Sequence, residues 1–216
     1  AKYRFRGHAE KPFWAWVCSW ARSLRKPSDL GFDDTRFVLP PLVQREHIVQ
    51  TAVARKGMLF SVPARDMREE RAERRHSLKE RCELAATLAQ GDAGPVTFWC
   101  ELNDEANMLE RMVSDSVQVS GSDRDDEREE KLTAFSRGEI QRLILKPAIG
   151  AWGLNWQHCQ RAIVFPSHSF ERHYQLVRRF YRFGQTKPVT IDLVVCEGEE
   201  GIVRNLERKE QQAARM

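Results

Sequence analysis

From Pro95 onward the chain alternates short apolar runs with helical segments, and that rhythm restricts the fold more than any other feature of the sequence. VTFWC (96–100), SVQVS (116–120), RLILK (142–146), RAIVF (161–165) and VTIDLVV (189–195) read as strands. Between them, helical patterns run from about Asp104 to Met112, Asp125 to Phe135 and Phe170 to Phe183, and a polar helix closes the chain. Strands this short and this continuously apolar are buried on both faces. Alternation with helices then implies an α/β fold with a mostly parallel sheet flanked by helices.

The turn formers Gly91-Asp92-Ala93-Gly94-Pro95 mark a division, with residues 1–92 expected as a helical linker or accessory region and 93–216 as the α/β lobe. In the first part, Phe13, Trp16, Val17, Trp20 and Leu24 recur at helical spacing, and Pro27 and Gly31 of KPSDLG end that helix. MLFSV (58–62) is a short strand candidate. The segment from Arg65 to Gln90 reads as one or two highly charged helices supported by Glu/Arg neighbours three or four residues apart.

A net charge of +4 permits a nucleic-acid partner without requiring one. The five cysteines are far apart and form no CxxC pair, which favours reduced thiols over disulfides or zinc. No apolar run approaches the roughly 20 residues that cross a bilayer. The first residue is Ala1, so the chain is expected to be part of something longer.

Two segments carry candidate chemistry. KPAIGAWGLNW (146–156) is a glycine-containing loop in which Gly150 and Gly153 would let backbone approach a phosphate, or else an ordinary tight loop. QLVRRFYRFGQTKPV (175–189) places Arg178 and Arg182 on one face of a helix, with Arg179 and Arg182 also neighbours at i,i+3. A solvated basic face is the plainer reading. Both segments are expected beyond the carboxyl ends of the strands, where such sheets bind ligands.

The order of these segments around an apolar strand resembles the second RecA-like lobe of superfamily 2 helicases and translocases, in the Swi/Snf-type branch. The run KPAIGAWGLNWQHCQRAIVFPSHSFERHYQLVRRFYRFGQTKPV looks similar to its phage and prophage members. FWAWVCSWARSLRKPSDLGFDDTRFVLPPL also resembles the segment that joins the two lobes there. The resemblance implies an ATP hydrolase that works on DNA, with an RNA track as the alternative. It further implies ATP and Mg²⁺ bound mainly by an N-terminal RecA-like lobe, no membrane partner, and the cytoplasm of a bacterial or phage-infected cell.

The same resemblance assigns residues. Arg182 would be the arginine finger on the γ-phosphate, with Arg179 its catalytic partner and Gln175, Gly153 and Asn155 on the nucleotide side. Lys146, Gly150 and Ser120 would meet the nucleic-acid backbone, Lys146 in place of the family's threonine, whose position is held by Pro147. Arg178 and Tyr181 also depart from the Asp and His often found in the branch. Ser120-Gly121-Ser122 is open to a second reading as a simple turn.

Asp104-Glu105-Ala106-Asn107 looks superficially like a magnesium-holding acidic box, but Asn103 or Asp104 capping a helix is the expected role. No GxxxxGK[S/T] occurs, so the chain is expected to hold half an ATPase and to be inactive by itself. Trp14, Trp16 and Trp20 suit a helix that packs aromatics into a core, against a base-stacking platform. Arg74 and Arg75 are candidate DNA-backbone contacts, against a solvated helix face. His168 and His173 have no metal-ligand partners in the pattern, and no metal is assigned. The class-different alternative is a non-catalytic nucleic-acid-binding or regulatory module with the same fold.

Overall fold

The computed structural model describes residues 7–21, 24, 26–50, 67–150 and 153–214. The chain divides into two units, Ala1–Val38 and Leu39–Met216. The strand candidate MLFSV lies outside the described residues.

In the first unit, α1 spans Gly7–Trp20 and ends before Leu24. Pro27–Leu30 forms a 3-10 turn closed by Gly31 at φ 81. The aromatics of α1 do not enter a core as expected: Trp14, Trp16 and Trp20 are 43%, 59% and 65% exposed. They pair edge-on along the helix surface instead, Phe13 with Trp14 at 5.3 Å and Trp16 with Trp20 at 5.4 Å between ring centroids.

The second unit runs β1 (Leu42–Val49), α2 (Met67–His76), α3 (Leu78–Gln90), β2 (Val96–Trp99), α4 (Asn103–Met112), β3 (Ser116–Gln118), α5 (Asp125–Ser136) and β4 (Arg142–Leu145). Then come α6 (Pro147–Gly150), β5 (Arg161–Val164), α7 (Phe170–Phe180), β6 (Val189–Cys196) and α8 (Glu200–Ala214). The six strands form one sheet in the order β1-β6-β5-β2-β4-β3. Every pairing is parallel. This is an α/β architecture with an all-parallel sheet flanked by helices, as the alternation predicts.

The sheet is parallel because helices cover both faces. Trp99, Leu143, Leu145, Ala162, Ile191 and Leu193 pack with Phe135 of α5 and with Leu176, Val177 and Phe180 of α7. On the other face Phe98, Ile144, Ile163 and Val194 meet Cys82, Ala85 and Ala89 of α3 and Ala106 and Leu109 of α4. Alanines on α3 let that helix lie close to the strands. The buried Asp192 of β6 is paired twice, accepting from Arg161 Nε at 2.9 Å and lying 2.7 Å from His47 Nε2 of β1.

The position expected to divide the chain, between residues 92 and 93, falls inside this unit. β1, α2 and α3 precede it, yet β1 pairs with β6 over eight residues and α3 covers the sheet. The Asp92–Gly94 turn itself is tied into the sheet, because Arg142 donates to the carbonyls of Gly94 and Asp92, both at 2.6 Å.

The charged pair α2–α3 is likewise no free helix. Arg81 is fully buried and donates to Glu105 Oε1 at 2.8 Å, Ser77 Oγ at 3.0 Å and the Arg74 carbonyl at 2.6 Å. Glu105, rather than Asn103 or Asp104, caps α4: its Oε2 accepts from the amides of Glu101 and Leu102, both at 2.9 Å. No described helix is long and apolar enough to cross a membrane.

Candidate functional site

A parallel sheet has a carboxyl edge and an amino edge, and the chain uses both. β5 and β6 are parallel neighbours, so α7 must start at the carboxyl edge and return to the amino edge before β6 begins. Ser169 caps the start of α7, its Oγ accepting from the Arg172 amide at 3.3 Å. Leu176, Val177 and Phe180 anchor the buried side, while Arg178 lies outside with its guanidinium 5.0 Å from the Tyr174 ring. The arginine segment therefore ends at the amino edge, not beyond the carboxyl ends where it was expected.

The helix also stops earlier than its periodicity suggests. Tyr181 is the C-cap, its amide bonded to the Val177 carbonyl at 2.9 Å, and the chain turns at Gly184 with φ 93. Arg182 thus belongs to a turn, closed by the Gln185 amide on the Arg182 carbonyl at 3.0 Å, and shares no helix face with Arg178. Phe180 is fully buried and anchors the segment, whereas Phe183 is 66% exposed.

The two candidate arginines have separate situations. Arg179 is buried; it donates to the Leu154 carbonyl at 2.6 Å and, through Nε, to the Gln175 carbonyl at 3.1 Å. Burial and then the neighbouring charge of Arg182 hold the Arg179 guanidinium below its ordinary range, but an arginine stays charged there. The Gln175 side chain faces Arg179 as well, with Oε1 at 3.5 Å. Arg182 is exposed, and among the described residues nothing pairs with its guanidinium.

The glycine loop meets this turn. Ala151 and Trp152 lie outside the described residues, and Gly153, at φ 74 with open space around its Cα, carries the loop outward. Asn155 is exposed and donates to Gln157 Oε1 at 3.2 Å. Next to it Trp156 is fully buried against Phe135, Trp99 and Phe180, fixing the loop to the core. The Trp156 amide donates to the Arg179 carbonyl at 2.9 Å. Gly153, Asn155, Arg179 and Arg182 are therefore gathered at the amino edge, with Gln175 one helical turn above Arg179.

Gly150 does a different job from the one expected. A Cβ at that position would stand 2.1 Å from Leu145 Cδ1 and 3.1 Å from the Trp99 ring, so the glycine allows close packing of α6 on the core. Lys146 follows β4 directly and is half-buried, at the carboxyl edge. Ser120 lies beyond β3 at that same edge, in a closed turn: its amide donates to Asp123 Oδ2 at 3.0 Å and its Oγ meets Ser122 Oγ at 2.9 Å. The geometry is that of the simple turn.

Arg74 is removed from the nucleic-acid candidates. It is only 8% exposed, and its donors go to Glu199 Oε1 at 2.7 Å and the Pro166 carbonyl at 2.6 Å. Arg75, one position on, is exposed.

Two residues that the sequence reading passed over complete the amino edge. Gln157 Nε2 donates to the Phe183 carbonyl. The buried Gln185 donates to the carbonyls of Gln157 and Phe180, both at 3.0 Å, and accepts from the amides of Thr186 and Lys187 at 3.0 and 3.1 Å. The only sequence signal was for Gln185, a polar amide beside the turn glycine Gly184.

No family profile and no curated protein matches the chain. Among solved structures, the C-terminal part of the Fun30 ATPase domain is similar at a TM-score of 0.49 and 22% identity, covering 57% of this chain and 43% of that one. The chain thus spans less than half the length of that neighbour.

Proposed function

We propose that this chain is the C-terminal lobe of an ATP-dependent DNA helicase or translocase of superfamily 2, in the Swi/Snf-type branch, and that it supplies Arg182 to ATP held by an N-terminal RecA-like lobe. The observation that carries the reading is the pairing of an exposed, uncommitted arginine with a buried one. Arg179 is spent tethering α7 to the Leu154 carbonyl, which leaves Arg182 on a fixed turn with its guanidinium outward.

Phosphoryl transfer is catalysed largely by positioning and by neutralising charge on phosphate oxygens, and a planar guanidinium that never loses its proton suits that task. The groups around Arg182 are a cation, the Asn155 amide and the backbone at Gly153, which fits phosphate and ribose oxygens. Carboxylates for Mg²⁺ belong, in this reading, to the other lobe. Bound there, ATP and Mg²⁺ would supply the transferable phosphoryl group. Lys146 and Arg75 remain the candidates for DNA-backbone contact, with Lys146 at the opposite edge of the sheet from Arg182. One rigid lobe would then feel the nucleotide at one edge and the nucleic acid at the other.

The test uses the full-length protein with its N-terminal lobe. Arg182→Ala should lower DNA-stimulated ATP turnover by roughly 10³-fold or more, the lower end for arginine fingers in GTPases. ATP affinity should change only a few-fold, and Arg182→Lys should not restore turnover. Equal loss of binding and turnover would make Arg182 a structural residue and overturn the proposal. The 216-residue chain by itself should show no ATPase activity.

A further inference from the structure

We infer that Gln157 and Gln185 are positioning residues that clamp the Arg182 turn to the 153–157 loop, so that the loop and the arginine move as one piece. The inference rests on the role proposed for Arg182 and adds to it a device that places the guanidinium.

Four hydrogen bonds join the two segments: Arg179 to the Leu154 carbonyl, the Trp156 amide to the Arg179 carbonyl, Gln157 Nε2 to the Phe183 carbonyl, and Gln185 Nε2 to the Gln157 carbonyl. Two are donated from each segment, so neither segment can slide without breaking bonds donated from both sides. Arg182 sits between the residues that take part, with Arg179 before it and Phe183 and Gln185 after it. Its own carbonyl accepts from the Gln185 amide at 3.0 Å.

The glycine beside it shows how close the clamp lies. A Cβ on Gly184 would be 2.9 Å from Gln157 Nε2, so the Gln157 amide lies directly against the backbone of the turn. The positive φ of 93 also favours glycine there. Gln157 Oε1 meanwhile accepts from Asn155, which carries the clamp to the residue expected near the ribose. Gln185 is only 6% exposed and both ends of its amide are used, so it is fixed in one orientation. A side chain held so completely makes a rigid support, and transition-state charge stabilisation depends on a donor already in place.

The experiment measures amide hydrogen exchange and steady-state ATP turnover on the full-length protein. The variants are Gln157→Ala, Gln157→Glu, Arg182→Ala and the double substitution Gln157→Ala/Arg182→Ala. Gln157→Glu keeps the acceptor for Asn155 and the shape but loses the donor to Phe183. Both Gln157 variants should raise exchange at the Trp156 and Gln185 amides about 5-fold, the worth of one neutral hydrogen bond. They should also lower kcat by about 10- to 100-fold with KM for ATP unchanged, as a small misplacement of a catalytic group does. The double variant should turn over no more slowly than Arg182→Ala.

Unchanged exchange would refute the clamp. Raised exchange with an unchanged kcat would refute its positioning role, and losses that multiply in the double variant would show that Gln157 does not act through Arg182. Full turnover in Arg182→Ala would overturn the functional reading and the positioning role together, while the exchange result would still decide whether the clamp exists.

Discussion

Arg81→Met tests the buried charge network that binds α2, α3 and α4 to the carboxyl ends of the strands. Arg81 is completely buried, 2.8 Å from Glu105 Oε1 and 4.0 Å from Glu199 Oε2, with its guanidinium 4.9 Å from the Phe165 ring. Methionine preserves much of the volume but deletes every donor. Glu105 Oε1, Ser77 Oγ and the Arg74 carbonyl then lose a partner inside the protein. Removing one member of a buried ion pair typically costs about 3–5 kcal/mol. Two features argue for the lower half of that range: Glu105 Oε2 keeps its two backbone amides, and Glu199 keeps Arg74. At roughly 2–4 °C per kcal/mol for a unit of this size, Tm should fall by about 6–16 °C. Urea unfolding followed by circular dichroism gives the free energy, with the slope expected to stay constant. Arg81→Met/Glu105→Leu should recover much of the loss, since an apolar pair can replace a buried ionic one. A cost below about 1 kcal/mol for the single variant, or a double variant as unstable as the two singles added together, would refute the reasoning.

Gly150→Ala should lower the urea midpoint by an amount corresponding to about 1–3 kcal/mol, because the new methyl group meets Leu145 in a filled core; an unchanged midpoint would mean that the site relaxes freely. His173 gives a pH dependence whose sign follows from burial. Desolvation pulls its pKa down from 6.5 to about 4, so the unfolded chain takes up the proton first. Its stabilising contribution is present above about pH 6.5 and is lost as the pH falls toward 4. Urea midpoints across that window should therefore drop less in His173→Gln than in the parent, and parallel curves would contradict this.

The strands that follow Pro95 were legible because a strand covered on both faces must be largely apolar, as VTFW, RLIL and RAIV are after allowing for Thr97 and the leading Arg142 and Arg161. β1 was not, since its centre is Gln44-Arg45-Glu46-His47 and only its ends look like a strand. It lies at the border of the sheet, where polar side chains are tolerated. The end of α7 was overestimated because FYRF continues the aromatic and basic spacing past Phe180, while the turn is set by Gly184 and by Gln157 from another segment. Sequence also could not separate Arg74 from Arg75: what buries the first is Glu199, 125 positions away. Apart from Arg74 and Arg75, the site residues themselves were named from a resemblance. Their division between the two edges came from the connections between strands, which no local pattern encodes.

The pairing of β1 with β6 has a consequence for synthesis. Leu42 pairs with Val189, 147 positions later, so among the described residues β1 has no neighbour in the sheet until β6 has been made. At 5–20 residues per second, that interval is roughly 7–30 s. An unpaired apolar strand waiting so long on the ribosome would be an aggregation hazard. The Arg45-Glu46-His47 run that masks β1 in the sequence pattern puts charge on this border strand, as charged side chains do where edge pairing must be discouraged. In the finished sheet the buried Asp192 of β6 lies against His47, a polar contact that only this register allows to form, since a shift of one residue would turn either side chain to the other face.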